Sequence, residues 1–276
     1  MTSEGITKRN LTDREKNLQT LAKFKMFDDT FMSAVFDGQI EETEMLLRIV
    51  LEKNDIMVIS SEAQYFISNI YGKEARLDIY ANDSNRNAYH VEVQRDLSGA
   101  SVQRARYTGA LVDGQLLKKG QKHKEIPDRY TVFITEEDMF GKGIPAYHSE
   151  NKITELDNAP LGDGGHIVYI NGQYRNTDTP IGQLMHDFFC INSADIINPV
   201  LRERVRYLKE TEEGVEEMCE LMDNRINEEK EEQKIELATE AIKEGDLSLN
   251  RIATLFKLPL SFVEELSNQV LGTVKQ

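Results

Sequence analysis

The sequence predicts an α/β fold in which a mixed sheet is flanked by helices and followed by an all-helical C-terminal extension. Three observations carry this. Hydrophobic spacing switches from a helical period to a period of two near residue 55, and back near 98. The run TVFITE (131–136) is β-branched and apolar without a break, which suits a strand at the centre of a sheet. From Pro199 onward every segment reads as helix. A chain of 276 residues is long enough for one sizeable core and an appendage.

The first 20 residues are polar and read as a flexible N-terminus. Phe24, Phe27, Phe31 and Val35 recur at helical spacing, and so do Met45, Leu46, Ile49 and Val50 in a helix at about 41–53. DIMVIS (55–60), RLDIYAND (76–83) and AYHVEVQR (88–95) alternate as strands. The turn-rich link NDSNRN makes the last two an antiparallel hairpin. A helix follows at about 98–119, opened by Ser98 or Ser101, and then the central strand. Residues 137–165 read as an extended loop with little regular structure, HIVYING (166–172) as a strand, and 181–191 as a helix. A long charged helix or pair of helices covers 201–240, and three shorter helices follow, with Gly245 ending the first and Ser261 capping the last.

Composition narrows the class of function. Two isolated cysteines, Cys190 and Cys219, cannot build a zinc ribbon or a disulfide scaffold, and they fit a reducing cytosol. No apolar run approaches the ~20 residues of a membrane helix. The reading is a cytoplasmic protein with no membrane partner. A net charge of −15 argues against a polyanionic partner only if that charge is evenly spread. It is not: residues 86–124 carry a net +5, which suits phosphate contacts, although a solvated helix face accounts for a charge run equally well.

The hairpin holds the candidate chemistry. Alternation places Leu77, Ile79, Val91 and Val93 in the core, and Asp78, Glu92 and Gln94 together on the other face. Two carboxylates on adjacent strands repel and need neutralising, for which a hard divalent cation is suited. The plain alternative is a solvated face whose acids pair with Arg76, Arg86 or Arg95. His90 shares the Glu92 face and reads as a surface histidine, and His186 reads as a packing or capping residue.

These residues resemble a known family. FDDTFM (27–32), RLDIYAND (76–83), YHVEVQR (89–95), QRARYTGALVDGQLLKKG (103–120), VFITEEDMFGKG (132–143), VYINGQY (168–174) and IGQLMHDFFC (181–190) follow one another as in the PD-(D/E)XK nuclease family transposases, over roughly residues 20–225. The resemblance implies a restriction-endonuclease-like αβββαβ core at 21–198, with 199–276 as a helical region that could end in a helix-turn-helix-like element. It implies a Mg²⁺-dependent DNA endonuclease, Mn²⁺ substituting, that hydrolyses phosphodiester bonds in recombination or transposition. Asp78 and Glu92 would ligate the metal together with the carbonyl of Val93. Gln94 stands where the superfamily usually has Lys, and an amide can orient water but brings no charge. Asp29 is the candidate acid from the first helix, with a helix cap as its other reading and Glu42 and Glu44 as weaker alternatives. Arg104, Arg106, Arg95 and Lys118 are the candidate nucleic-acid contacts; Arg104 and Arg106 are two apart and cannot both point at one site. Tyr107 would pack beside the site, and the acidic helix offers a homodimer surface. The competing readings are a catalytically weak or inactive nucleic-acid-binding or assembly protein with the same fold, and an RNA nuclease.

Overall fold

The computed structural model describes residues 12–69 and 72–273. Its strands are β1 (Val58–Ile67), β2 (Ala75–Asp83), β3 (Ala88–Gln94), β4 (Arg129–Thr135), β5 (Ala146–Ser149), β6 (Lys152–Ile153), β7 (Ala159–Pro160) and β8 (Gly165–Asn171). Its helices are α1 (Asp13–Leu21), α2 (Asp29–Phe36), α3 (Ile40–Leu51), α4 (Val102–Leu116), α5 (Pro180–Phe189), α6 (Pro199–Glu210), α7 (Glu212–Glu244), α8 (Leu249–Phe256) and α9 (Leu260–Thr273).

Six strands form one mixed sheet in the order β1-β2-β3-β4-β8-β5. The β1–β2 and β2–β3 pairs are antiparallel, β3–β4 and β4–β8 parallel, and β5 runs antiparallel to β8. The sheet is therefore the mixed one that the sequence predicts, flanked by helices. β4 lies between two parallel neighbours, and Val132, Phe133 and Ile134 are fully buried, so its apolar run has that origin. α4, capped by the Ser101 side chain on the Arg104 N–H, crosses from β3 to β4 and packs on both. α2 and α3 pack on β1, and α6 packs on α2 and α3 through buried Leu201, Val205 and Leu208.

Several elements differ from the sequence reading. β1 continues to Ile67, well past residue 60, because its second half pairs with β2 from Tyr65 to Ile67. The region 137–165 contributes an edge strand, β5, whose pairing is supplied by β8 and is not visible in its own composition. Within the stretch expected to be flexible, Asp13–Leu21 is a helix with a Thr12/Glu15 capping box; residues 1–11 lie outside the described residues. Ser261 is not a cap, since α9 already begins at Leu260 and the Val263 N–H reaches the Pro259 carbonyl. Gly245 does follow α7, with φ +75°.

The chain forms two compact units, the first running through Cys219 and the second from Glu220. The helical packing of α6 carries the first unit past the expected boundary at 198. In the second, Ala238 and Ile242 of α7 pack with Ile252 and Ala253 of α8 and Val263 of α9. Among the described residues no helix is long and apolar enough to cross a membrane.

Candidate active site

The site lies where the β2–β3 hairpin comes apart. Pairing runs from Asn82↔Ala88 to Ile79↔Val91 and stops one position short of Asp78 and Glu92. Beyond it the Asp78 side chain takes over the role of the ladder: its Oδ2 accepts the Val93 N–H at 2.8 Å. Both carboxylates are thus held on stiff strands, Asp78 half-buried and Glu92 with no exposed surface.

Burial, then the neighbouring Glu92 carboxylate, pushes the Asp78 carboxyl well above its ordinary value. The Val93 N–H pulls it down, Asp29 pushes it up and Arg104 pulls it down, in decreasing order. The pair is therefore rich in negative charge, and the groups around it are donors. Gln94 Nε2 lies 3.4 Å from Asp78 Oδ2 and donates to Glu92 Oε2 at 3.2 Å. Arg104 donates to the same Glu92 oxygen at 2.6 Å. His90 Nε2 and Glu92 Oε1 share a hydrogen bond at 2.6 Å. The other ring nitrogen of His90 finds no hydrogen-bond partner among the described residues.

A cleft of about 1000 Å³ opens onto this cluster. Asp29, Asp78, Val93, Gln94, Arg95, Arg104 and Tyr107 all line it. Asp29 is the first residue of α2 rather than its cap, and it accepts a hydrogen bond from Gln64 Nε2 at 2.8 Å. Glu44 is used elsewhere, on the Val58 N–H and Arg48. Arg95 pairs with Asp28 and donates to the Phe27 carbonyl. Tyr107 donates to the Lys73 carbonyl at the cleft wall. Gln94 keeps its place because residue 99 is glycine: a Cβ there would sit 2.0 Å from Gln94 Oε1.

The donor set offered to a cation is all oxygen, from Asp78, Glu92 and the Val93 carbonyl, which suits a hard divalent ion. Such an ion fits the charge imbalance at Asp78, and it would replace the Gln94 amide N–H and the Arg104 guanidinium on Glu92.

Three expectations change here. His90 is fully buried, not a surface histidine, because α4 covers that face of the hairpin. Arg106 is exposed and lines a different cleft, beside Asp113 and Arg129, and Lys118 is exposed past the end of α4, so neither joins the site. The basic stretch 86–124 also divides in space. The cleft wall sets Lys73, Arg76, Arg95 and Arg104 against Asp28, Asp29, Glu74, Asp78 and Asp96, and is not positive on balance. The contribution of Gln64 and Lys73 was missed, since each is brought in by tertiary folding from a segment with no motif of its own.

A family model for PD-(D/E)XK nuclease family transposases matches residues 42–248. The chain belongs to that family. Comparison with curated proteins and with solved structures finds no match. Asp78, Glu92 and Gln94 lie inside the matched stretch of this PD-(D/E)XK family member, and Asp29 lies before it. Nucleases of this family generally use divalent metal ions, in keeping with the all-oxygen donor set at the splayed hairpin. Elsewhere, His186, Asp187 and Cys190 also bring three ligand atoms within 4.8 Å of one another.

Proposed function

We propose that the protein is a Mg²⁺-dependent DNA endonuclease that hydrolyses phosphodiester bonds in support of recombination or transposition. The observation that carries this reading is the Asp78 carboxyl lining a cleft where the hairpin splays, with the buried Glu92 carboxylate directly behind it. In this reading Asp78, Glu92 and the Val93 carbonyl hold the ion, with Mn²⁺ able to replace it. The bound ion supplies a water of lowered pKa and offsets charge on the phosphate. Gln94 orients that water, and Asp29 lies across the cleft as a further acceptor. Arg104, whose side chain is 40% exposed, turns from Glu92 to a phosphate oxygen, and Arg95 lies beside it at the rim. An acidic chain with a mixed cleft wall binds DNA weakly without the cation, and binding is salt-sensitive.

The test is relaxation of supercoiled plasmid in Mg²⁺ or Mn²⁺. Wild type is expected to nick, and Asp78→Asn to be slower by about 100-fold or more, the scale of losing one charge-stabilising group. Equal rates for the two proteins would remove the cleft from the reaction. A second reading rests on Gln94 in place of a lysine: a DNA-binding protein that has lost the cut. DNA binding that persists in EDTA, with no cleavage in either metal, selects it.

A further inference from the structure

The end of α5 holds a second cluster with a different chemistry. We propose that His186, Asp187 and Cys190 form a binding site for a borderline-soft divalent cation of the zinc class. The spacing is the first argument. His186 Nδ1 lies 3.6 Å from Cys190 Sγ and 3.1 Å from Asp187 Oδ1. A tetrahedral zinc, with Zn–S ~2.3 Å and Zn–N or Zn–O ~2.0 Å, sets such pairs roughly 3.5 and 3.3 Å apart. His186 lies in the last turn of α5 and Cys190 is the cap residue just past it, its N–H on the Asp187 carbonyl, so the helix end brings the three residues together.

The second argument is the support behind the ligands. Asp187 is fully buried, and its two oxygens accept the backbone N–H groups of Ile197 (2.7 Å) and Asn198 (2.8 Å). Such outer hydrogen bonds hold a ligating carboxylate in one orientation. The thiol donates to the His186 and Asp195 carbonyls. Binding of the cation would displace the thiol proton, and the Asp187 carboxylate beside it offsets the positive charge. The His186 side chain is 36% exposed, which leaves an approach from solvent and room for a water as fourth ligand. Asn198 caps α6, so the ion would tie the end of α5 to the start of α6. The sulfur and nitrogen ligands separate this site from the all-oxygen cleft, and it stands whether or not the cleft cuts DNA.

Cobalt(II) reads the difference directly. Titrating the reduced, full-length protein with Co²⁺ is expected to give a near-ultraviolet sulfur-to-metal charge-transfer band that saturates at one ion per chain. Cys190→Ser is expected to abolish the band and Cys219→Ser to retain it. His186→Gln, at a partly exposed position, is expected to weaken Co²⁺ binding about 10–100-fold. Absence of the band in wild type overturns the site, as does a band undiminished in Cys190→Ser. If Cys190→Ser does not fold, unchanged Co²⁺ affinity in His186→Gln overturns it.

Discussion

One hairpin carries two aspartates with opposite fates. At the turn end, Asp83 is 2% exposed and accepts four hydrogen bonds: from the backbone N–H groups of Asn85 and Asn87, from the Asn87 side chain, and from the Tyr89 hydroxyl. Burial, then Asp83 itself, pushes the Tyr89 hydroxyl up, which keeps it a donor. At the open end, Asp78 accepts one strong bond from the Val93 N–H and one long one from Gln94, and it faces Glu92 across the splayed strands. A buried carboxylate that is saturated with donors serves the fold. One that is short of donors and beside a like charge is left with affinity for a cation or a proton. The two ends separate structural from chemical use of the same side chain.

Substitutions can break this contrast. The largest effect on stability is expected at the turn: Asp83→Ala leaves its donors unpaired and should cost about 3 kcal/mol or more, read as a fall in Tm. Loss of less than about 1 kcal/mol there would mean the turn does not depend on it.

Asp78→Asn should do the reverse and leave the protein more stable than wild type near neutral pH, by an amount on the order of 1 kcal/mol. The sign follows from the raised carboxyl. Its contribution to wild-type stability is complete below the ordinary value of 3.8 and is lost as pH rises through the higher folded value. The Tm difference between variant and wild type should therefore widen from acid toward neutral pH. A difference that is flat across that range, or that narrows, would place Asp78 with Asp83.

The smallest effect is expected away from the cleft. Arg106→Ala and Lys118→Ala should each leave the DNA dissociation constant, measured by fluorescence anisotropy at fixed salt, within about twofold of wild type. Arg95→Ala should weaken it several-fold, about 1 kcal/mol for one lost phosphate contact. Equal losses at all three positions would mean that DNA runs well beyond the cleft.

The hairpin was the most legible part of the molecule. Alternation alone put Asp78, Glu92 and Gln94 on one face, and the asparagine-rich link marked the turn. What stayed hidden depends on distant partners. β5 is a strand because β8 offers its edge, and the second half of β1 because β2 does. The burial of His90 depends on α4 covering a face that alternation reads as solvated. Arg104 was identified as a site residue, but its partner in this state is Glu92 rather than a phosphate. Charge counted along the chain merged Arg95 and Arg104 with Arg106, which α4 turns toward a second cleft, and with Lys118, exposed past its end.

The splay at Asp78 also bears on the order in which the chain assembles. The two acids are joined by a single tight hairpin, a closure completed within about 1–10 microseconds. The parallel pairing of β3 with β4 must wait for the whole α4 crossover, whose loop-closure entropy is larger. Arg104 stands 12 residues from Glu92 in the first turn of the crossover, so its approach to that carboxylate is as local as the hairpin itself. What the β3–β4 pairing adds is burial, which sharpens the repulsion between the two acids at the end where their ladder stops.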